Sequence, residues 1–406
     1  MLDLVYGFLA LPWFIYVAIL LALPPVALLS VYYALHHLAP KPRAPFPSEK
    51  TYRTTTPDGT IVTRQLPCWY DTWLAERQHS ERQQPELGKF HIPDPVTIEA
   101  PDVLVSVIVP AYNEEERIPQ ALEEMVDYLD TTFGRPGHPT SGKKGTPTFP
   151  GAHKRSLRGS PAPKVTGYEI IVVSDGSRDK TEDVVLEFSK RKGVHDVLRV
   201  VKLERNRGKG GAVTHGFRHA RGDYVLFADA DGASKFSDLG KLMESCEQVA
   251  DGSHRGVAVG SRAHLVGSEA VVQRSALRNF LMRGFHFVLM ILTPPATSRI
   301  KDTQCGFKLF SRAALPHIVP YMHAEGWIFD VEMLMLAESA PATPVFGSEG
   351  EVIGTEAGIR VAEVPIAWHE VDGSKMSLAR DSLGMAIGLA VLRASWMMGV
   401  YRRRMT

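Results

Sequence analysis

From Leu4 to Leu35 no residue carries a formal charge. The run LVYGFLALPWFIYVAILLALPPVALLSVYYAL exceeds the roughly 20 apolar residues needed to span about 30 Å of hydrocarbon, which predicts a transmembrane anchor over residues 4–38. A cleaved signal peptide needs a basic start and an apolar stretch of only about 7–15 residues, whereas Asp3 precedes this longer one. Pro24 and Pro25 predict a kink or an end to the span. Lys41, Arg43 and Lys50 follow it, against only Asp3 and the amino terminus before it, so the positive-inside bias puts the rest of the chain in the cytosol.

The whole chain balances 46 basic against 45 acidic residues, a net charge of +1. That balance lacks the basic surface nucleic acid requires, and no nucleic-acid partner is expected. Cys68, Cys246 and Cys305 have no CxxC spacing, which predicts neither a disulfide framework nor a thiolate zinc site. Residues 41–100 read as a juxtamembrane segment in which TYRTTTPDGTIVTR (51–64) predicts two short strands joined by a Pro-Asp-Gly turn.

Residues 101–371 predict the main domain. VLVSVIVPA (103–111) is a continuous, largely β-branched run, as in a strand buried on both faces of a parallel sheet. Ile118, Leu122, Met125 and Leu129 recur at helical spacing behind an acidic first turn. Residues 131–166 are rich in Gly, Pro, Ser, Thr, Lys and Arg, hold almost no large apolar side chains and predict a disordered surface insertion. YEIIVVS (168–174), VLRVVKL (197–203) and DYVLFA (223–228) predict three further strands. Between them lie a helix to Lys190, with a capping box of Asp179 and Glu182, and a short helix over 211–220. Alternating strand and helix predict an α/β fold, with a Rossmann-like, mostly parallel sheet flanked by helices.

Such sheets bind ligands outside the carboxyl ends of their strands. Pro110, Ala111, Tyr112 and Glu114 lie at the end of the first strand, Asp175 follows the second, Arg205 to Gly210 the third, and Asp229 and Asp231 the fourth. Two carboxylates two apart on an extended segment suit a hard cation, Mg²⁺ or Mn²⁺, that also holds a diphosphate. A solvated acidic turn is the alternative for so short a pattern. It is outweighed by the apolar strand ahead of it and by Asp175 and Glu114 at neighbouring strand ends. RNRGKGGA (205–212) sets glycines that let backbone approach a ligand beside cations for phosphate oxygens, yet it is not a Walker A motif.

VIVPAYNEEERI, VVSDGSRDKT, NRGKGGAV and FADADG, in that order and spacing, resemble family 2 glycosyltransferases of the GT-A fold. TQCGFKLFSR (303–312), EGWIFDVEML (325–334) and EVPIAWHEVDGSK (363–375) resemble more narrowly the members that transfer glucose from UDP-glucose to dolichyl phosphate. The resemblance implies an inverting hexosyltransferase at the endoplasmic reticulum membrane, single-pass with its catalytic part cytosolic, making a β-linked glucosyl lipid for N-glycan precursor assembly. It implies that Pro110, Ala111, Tyr112, Glu114 and Asp175 hold the uridine, with Lys209 close to the nucleotide, and that Asp229 and Asp231 hold the metal. Ala233 stands where the related mannosyl enzymes keep a polar side chain, which puts a third side-chain ligand in doubt. Asp330 lies where relatives keep an acid facing the acceptor, which makes it, with Asp231, a catalytic candidate.

A phosphate monoester with a second pKa of roughly 6 is largely ionised at neutral pH, so a lipid phosphate acceptor needs no strong general base. The departing diphosphate needs neutralising instead. Arg117, Arg283, Lys308 and Lys375 are the candidate cations for the acceptor phosphate. Residues 276–295 and 382–404, the latter ending in a basic cluster suited to anionic headgroups, read as interfacial helices touching membrane lipid, with ordinary core helices as the alternative for both and a membrane span, made costly by Arg393, as a third reading of 382–401, so 372–406 reads as a C-terminal membrane-proximal segment. The competing readings are a GDP-mannose-using synthase and a non-catalytic, membrane-tethered scaffold that binds nucleotide sugar.

Overall fold

A computed structural model describes residues 12–89, 91–135, 165–265, 284, 289–346, 351–371 and 378–404. The apolar run forms helix α1, Trp13–Leu38. Its Leu20–Leu38 part is long and apolar enough to cross a membrane and is almost entirely uncovered by the rest of the chain. Helix α1 runs through Pro24 and Pro25 and does not end there. Each proline deletes one backbone donor, and the flanking turns keep theirs.

The juxtamembrane segment belongs to the main sheet. Strands β1 (Thr51–Thr55) and β2 (Ile61–Gln65) pair antiparallel in the register the predicted hairpin requires. Strand β1 also pairs outward, Arg53 lying opposite Val200, and Thr54 Oγ1 donates to Leu198 O at 2.8 Å. Helix α2 (Trp69–Gln83) then buries Trp69 and Trp73 against the domain.

The core follows as β3 (Val103–Ala111), α3 (Ile118–Thr132), β4 (Tyr168–Ser174), α4 (Thr181–Lys192), β5 (Leu198–Lys202), α5 (Lys209–His219) and β6 (Gly222–Ala228). Beyond it come α6 (Leu239–Val249), β7 (Val257–Ser261), β8 (Phe307–Ser311), α7 (Phe329–Glu338), the hairpin β9 (Thr343–Phe346) and β10 (Val352–Glu356), β11 (Val361–Pro365) and α8 (Leu378–Met397). Nine strands form one sheet in the order β11-β7-β8-β6-β3-β4-β5-β1-β2. The central strands β3 to β6 are parallel, and β8 runs antiparallel between β6 and β7. Sequence reasoning missed β7, β8 and β11. Each is only five residues long, and Lys308 inside β8 reads as a surface side chain.

Both faces of the sheet are covered, which is why the central strands read as unbroken apolar runs. Ile108, Ile171, Val173 and Phe227 pack with α5 and α7, while Val107, Val172, Val200 and Leu226 pack with α3, α4 and α6. The predicted capping box of α4 does not form. Asp179 Oδ1 accepts from Thr181 N at 3.0 Å, but Glu182 turns inward to the Ser174 hydroxyl and to Arg53 of the hairpin.

The C-terminal basic cluster differs from expectation. Arg402 is exposed, but Arg404 is 3% exposed and pairs with Glu81 and Asp94, and Arg403 donates to Leu336 O at 2.6 Å over the Tyr321 ring. Acids from α2 and its flank, and the Tyr321 ring from the chain ahead of α7, compete with headgroups for these guanidiniums. Of the other expected elements, residues 136–164 of the insertion and 276–283 and 285–288 of the apolar stretch lie outside the described residues.

One buried carboxylate joins the starts of β3, β4, β5 and β6. Fully buried Glu169 accepts from Ser106 Oγ at 2.5 Å, Arg221 N at 2.8 Å and Arg221 Nε at 3.0 Å, and pairs with Arg199. Glu169→Gln removes the charge and leaves Arg199 interred, so we expect a loss of about 3–5 kcal/mol, read as the unfolding midpoint of the purified chain in detergent.

Candidate functional site

Strand order reverses between β3 and β6: the chain steps outward from β3 to β4 and β5, then returns to β3's other side. An open α/β sheet has its crevice at such a point, outside the carboxyl ends. Pro110, Ala111, Tyr112 and Glu114 arrive there from β3, Asp175 from β4, Arg207 and Lys209 from β5, and Asp229 and Asp231 from β6. Strand β7 is parallel to β6, both being antiparallel to β8, so Arg262 leaves at the same edge.

Asp229 Oδ1 pairs with Lys209 Nζ at 2.6 Å, and its backbone N–H donates to Gly306 O at 3.0 Å. Its carboxylate lies over Gly306 so closely that any Cβ there would overlap both oxygens. Asp231 Oδ1 accepts from Ala233 N at 3.1 Å, and burial together with the Asp229 charge pushes its carboxyl above the usual range. The loop after Asp231 is tied to the chain beyond β11, where His369 N donates to Ala233 O and Lys235 N to Ala367 O, both at 3.0 Å. Among the described residues no group of three or more His, Cys, Asp or Glu side chains forms a metal cage. Two like charges, one with its carboxyl raised, nonetheless form a donor set that a cation would relieve.

On the nucleotide side, Asp175 Oδ1 accepts from Arg207 N at 2.7 Å, and burial pushes its carboxyl up to about 6. Glu114 is held in a two-point pair by Arg117, with both contacts at 2.7 Å. Burial would lower the Arg117 guanidinium, but Glu114, Asp231 and Asp229 together hold it above its ordinary value. Arg117, expected at the acceptor phosphate, is thus bound to Glu114 and faces the aspartates.

The glycines of RNRGKGGA meet protein. A Cβ at Gly208 would strike Glu325 O, and one at Gly210 would strike Phe329 Cβ and Ala324 O; Gly211 N already donates to Glu325 O at 3.1 Å. The loop ahead of α7 therefore fills the start of α5, which sequence reasoning had left open for a phosphate. Arg207 reinforces the joint, its Nε donating to Glu325 Oε1 at 2.7 Å. Lys209 is left pointing into the crevice, its Nζ 5.2 Å from the Phe227 ring centre and 5.8 Å from that of Trp327.

Asp330 and Glu332 face different ways, as their spacing requires. Fully buried Lys308 pairs with Asp330 and donates to Cys305 O at 2.6 Å. Burial raises the Asp330 carboxyl against the pull of Lys308 and Lys209. Lys308 presents no exposed surface to an acceptor phosphate in this geometry. Glu332 instead accepts the backbone N–H groups of His323 and Ala324. Arg283 and Lys375 lie outside the described residues.

Sequence reasoning missed Arg262, which holds Asp302 through contacts of 2.7 and 2.8 Å and stacks on Trp368. Its signal was the same as for the others, a polar residue just past an apolar strand, but β7 had gone unread. Glu325, Gly306 and Trp327 carry no local signal, because their parts depend on partners distant in sequence.

The family model described as glycosyl transferase family 2 matches residues 155–316. A dolichyl-phosphate beta-glucosyltransferase of Saccharomyces cerevisiae is 38% identical over 382 residues, 92% of each chain. That of Drosophila melanogaster is 40% identical over 75% of this chain and 78% of its own, and that of Homo sapiens 36% identical over 76% and 80%. Among solved structures, Mycobacterium tuberculosis glucosyl-3-phosphoglycerate synthase is similar at 17% identity and a TM-score of 0.39, over 73% of this chain and 80% of its own.

Gly306→Ala forces Asp229 or the start of β8 to move, and we expect a loss of about 1–3 kcal/mol. Adding Asp229→Ala removes the obstructing carboxylate, so thermal unfolding of the double variant should recover most of that loss in a double-mutant cycle.

Proposed function

The chain belongs to the dolichyl-phosphate beta-glucosyltransferases, within glycosyl transferase family 2, and from that premise we propose that it transfers glucose from UDP-glucose to dolichyl phosphate with inversion at the sugar carbon. The product is dolichyl β-D-glucosyl phosphate, made at the cytosolic face of the endoplasmic reticulum membrane for N-glycan precursor assembly. The observation that carries the reading is the Asp229, Asp231 and Lys209 cluster at the switch point of the sheet.

Tyr112, Glu114 and Asp175 bind the uridine, with Pro110 and Ala111 as the backbone floor. The ionised Asp175 carboxylate accepts an N–H of the base. Asp229 and Asp231 would hold a divalent cation, Mg²⁺ or Mn²⁺, which would supply Lewis-acid neutralisation of the leaving diphosphate. Lys209, which pairs with Asp229 at the same strand ends, would meet a diphosphate oxygen. The acceptor phosphate attacks already ionised. Asp330 is too deeply paired with Lys308 to serve as a mobile base and acts as a fixed negative charge behind Lys209. Arg117 and Arg262 are the described cations best placed for the acceptor phosphate, with Arg283 and Lys375 as the candidates read from sequence alone.

Labelled UDP-glucose incubated with the full chain and dolichyl phosphate in detergent should give a chloroform-soluble, acid-labile glucosyl lipid, with GDP-mannose in parallel giving none. EDTA and Asp231→Asn should each lower the rate at least 100-fold. A mannosyl product would overturn the sugar assignment. Acidity gives a second test. A carboxylate that must be ionised loses its partner as pH falls through its pKa, so the affinity for uridine, which carries no phosphate to titrate, should drop about tenfold one unit below pH 6. Asp175→Asn should bind weakly at every pH with the dependence gone, as isothermal titration would show.

A further inference from the structure

Trp327 is the one residue of the Trp327-Ile328-Phe329 run that the fold leaves uncovered: it is 37% exposed, against 7% for Ile328 and 0% for Phe329. Its backbone is held from three directions. Glu332 takes the N–H groups of His323 and Ala324 behind it, the start of α5 takes Glu325 O in front, and Ile328 backs onto α8, where a Cβ at Gly388 would lie 3.7 Å from Ile328 Cγ2. An indole on so fixed a mount does not drift away from the crevice. Lys209 Nζ, bound to Asp229, sits 5.8 Å from its ring centre, which puts Trp327 at the edge of the diphosphate site.

Helix α8 adjoins the loop bearing Trp327 at Ile328. Helix α8 buries Met385, Leu389 and Leu392 on the domain and leaves Leu383 and Ile387 exposed at 64% and 56%. It touches α1 over a small area. Just past its end, Tyr401 stacks on His323 with ring centres 3.6 Å apart and donates from Oη to Pro40 O at 2.6 Å. The loop bearing Trp327 is thus anchored to the chain segment that leaves the apolar helix α1, and an exposed apolar strip on α8 adjoins it.

Resting on the reading that the acceptor is a polyprenyl phosphate, we propose that Trp327 is a specificity-determining contact for that acceptor, its indole receiving the first isoprene unit next to the phosphate. The chemistry matches a polyprenyl phosphate: the ring offers apolar area at the junction where a hydrocarbon chain meets a charged phosphate, and aromatic residues suit such half-wet boundaries. The hexose, with its hydroxyl groups, is then left to the polar strand ends.

The test uses the full chain in mixed micelles with dolichyl phosphate and a short-chain prenyl phosphate as acceptors. Trp327→Ala should raise KM for dolichyl phosphate about tenfold, the size expected for truncating a central aromatic contact, while KM for UDP-glucose, the UDP affinity and kcat stay within twofold. Trp327→Phe should restore most of the acceptor KM. If KM for UDP-glucose rises with UDP affinity unchanged, the ring faces the hexose and the proposal is overturned; if neither KM moves while the wild type transfers glucose normally, Trp327 is an ordinary surface residue and the proposal again falls. A wild-type chain that glucosylates no lipid phosphate overturns the functional reading itself, an outcome distinct from both.

Discussion

Lys308 and Asp330 are buried together beneath the crevice, and neither tolerates that burial without the other. A lone charge in such surroundings is destabilising by several kcal/mol, and losing one partner strands the second. The pair therefore fixes the first turn of α7 against the start of β8. Everything on the acceptor side follows from that join. Helix α7 carries the loop whose carbonyls fill the start of α5, which sets the base of Lys209, which in turn pairs with Asp229. Just ahead of strand β8 lies Gly306, whose missing side chain is the space Asp229 occupies.

The nucleotide side and the anchor side meet at Arg207. Its N–H holds Asp175, while its guanidinium reaches Glu325 and donates to Arg43 O at 3.1 Å. Arg43 pairs with fully buried Glu49, which also takes Glu204 N at 2.9 Å. The stretch between the apolar helix and the first strand is thus part of the wall of the site. On the other flank Tyr401 is bonded to Pro40, just past the end of α1.

Much of the candidate site was legible because it follows a local rule. A buried parallel strand is an unbroken apolar run, and the polar residues immediately after it must lie at the sheet edge; Tyr112, Glu114, Asp175, Asp229 and Asp231 were found that way. The same rule failed at β7, β8 and β11, which are short and, for β8, interrupted by a lysine. Lys308 read as a cation for the acceptor phosphate because its compensating Asp330 lies 22 residues further along the chain. The RNRGKGGA glycines looked like a ligand cradle because sequence shows that space has been left but not what fills it.

The sequence by itself determined the apolar helix, the alternating core and the edge on which carboxylates gather, since each depends on patterns within about ten residues. Only the tertiary structure decided which charges are available to a ligand. Lys308 is taken up by Asp330, Arg403 and Arg404 turn onto the domain, Arg117 and Arg262 come to the crevice each shared with a carboxylate, Glu114 and Asp302, and Trp327 stands at its edge. Pairing and burial of side chains are set by neighbours in space, and in a sheet whose strand order departs from chain order those neighbours are seldom neighbours in sequence.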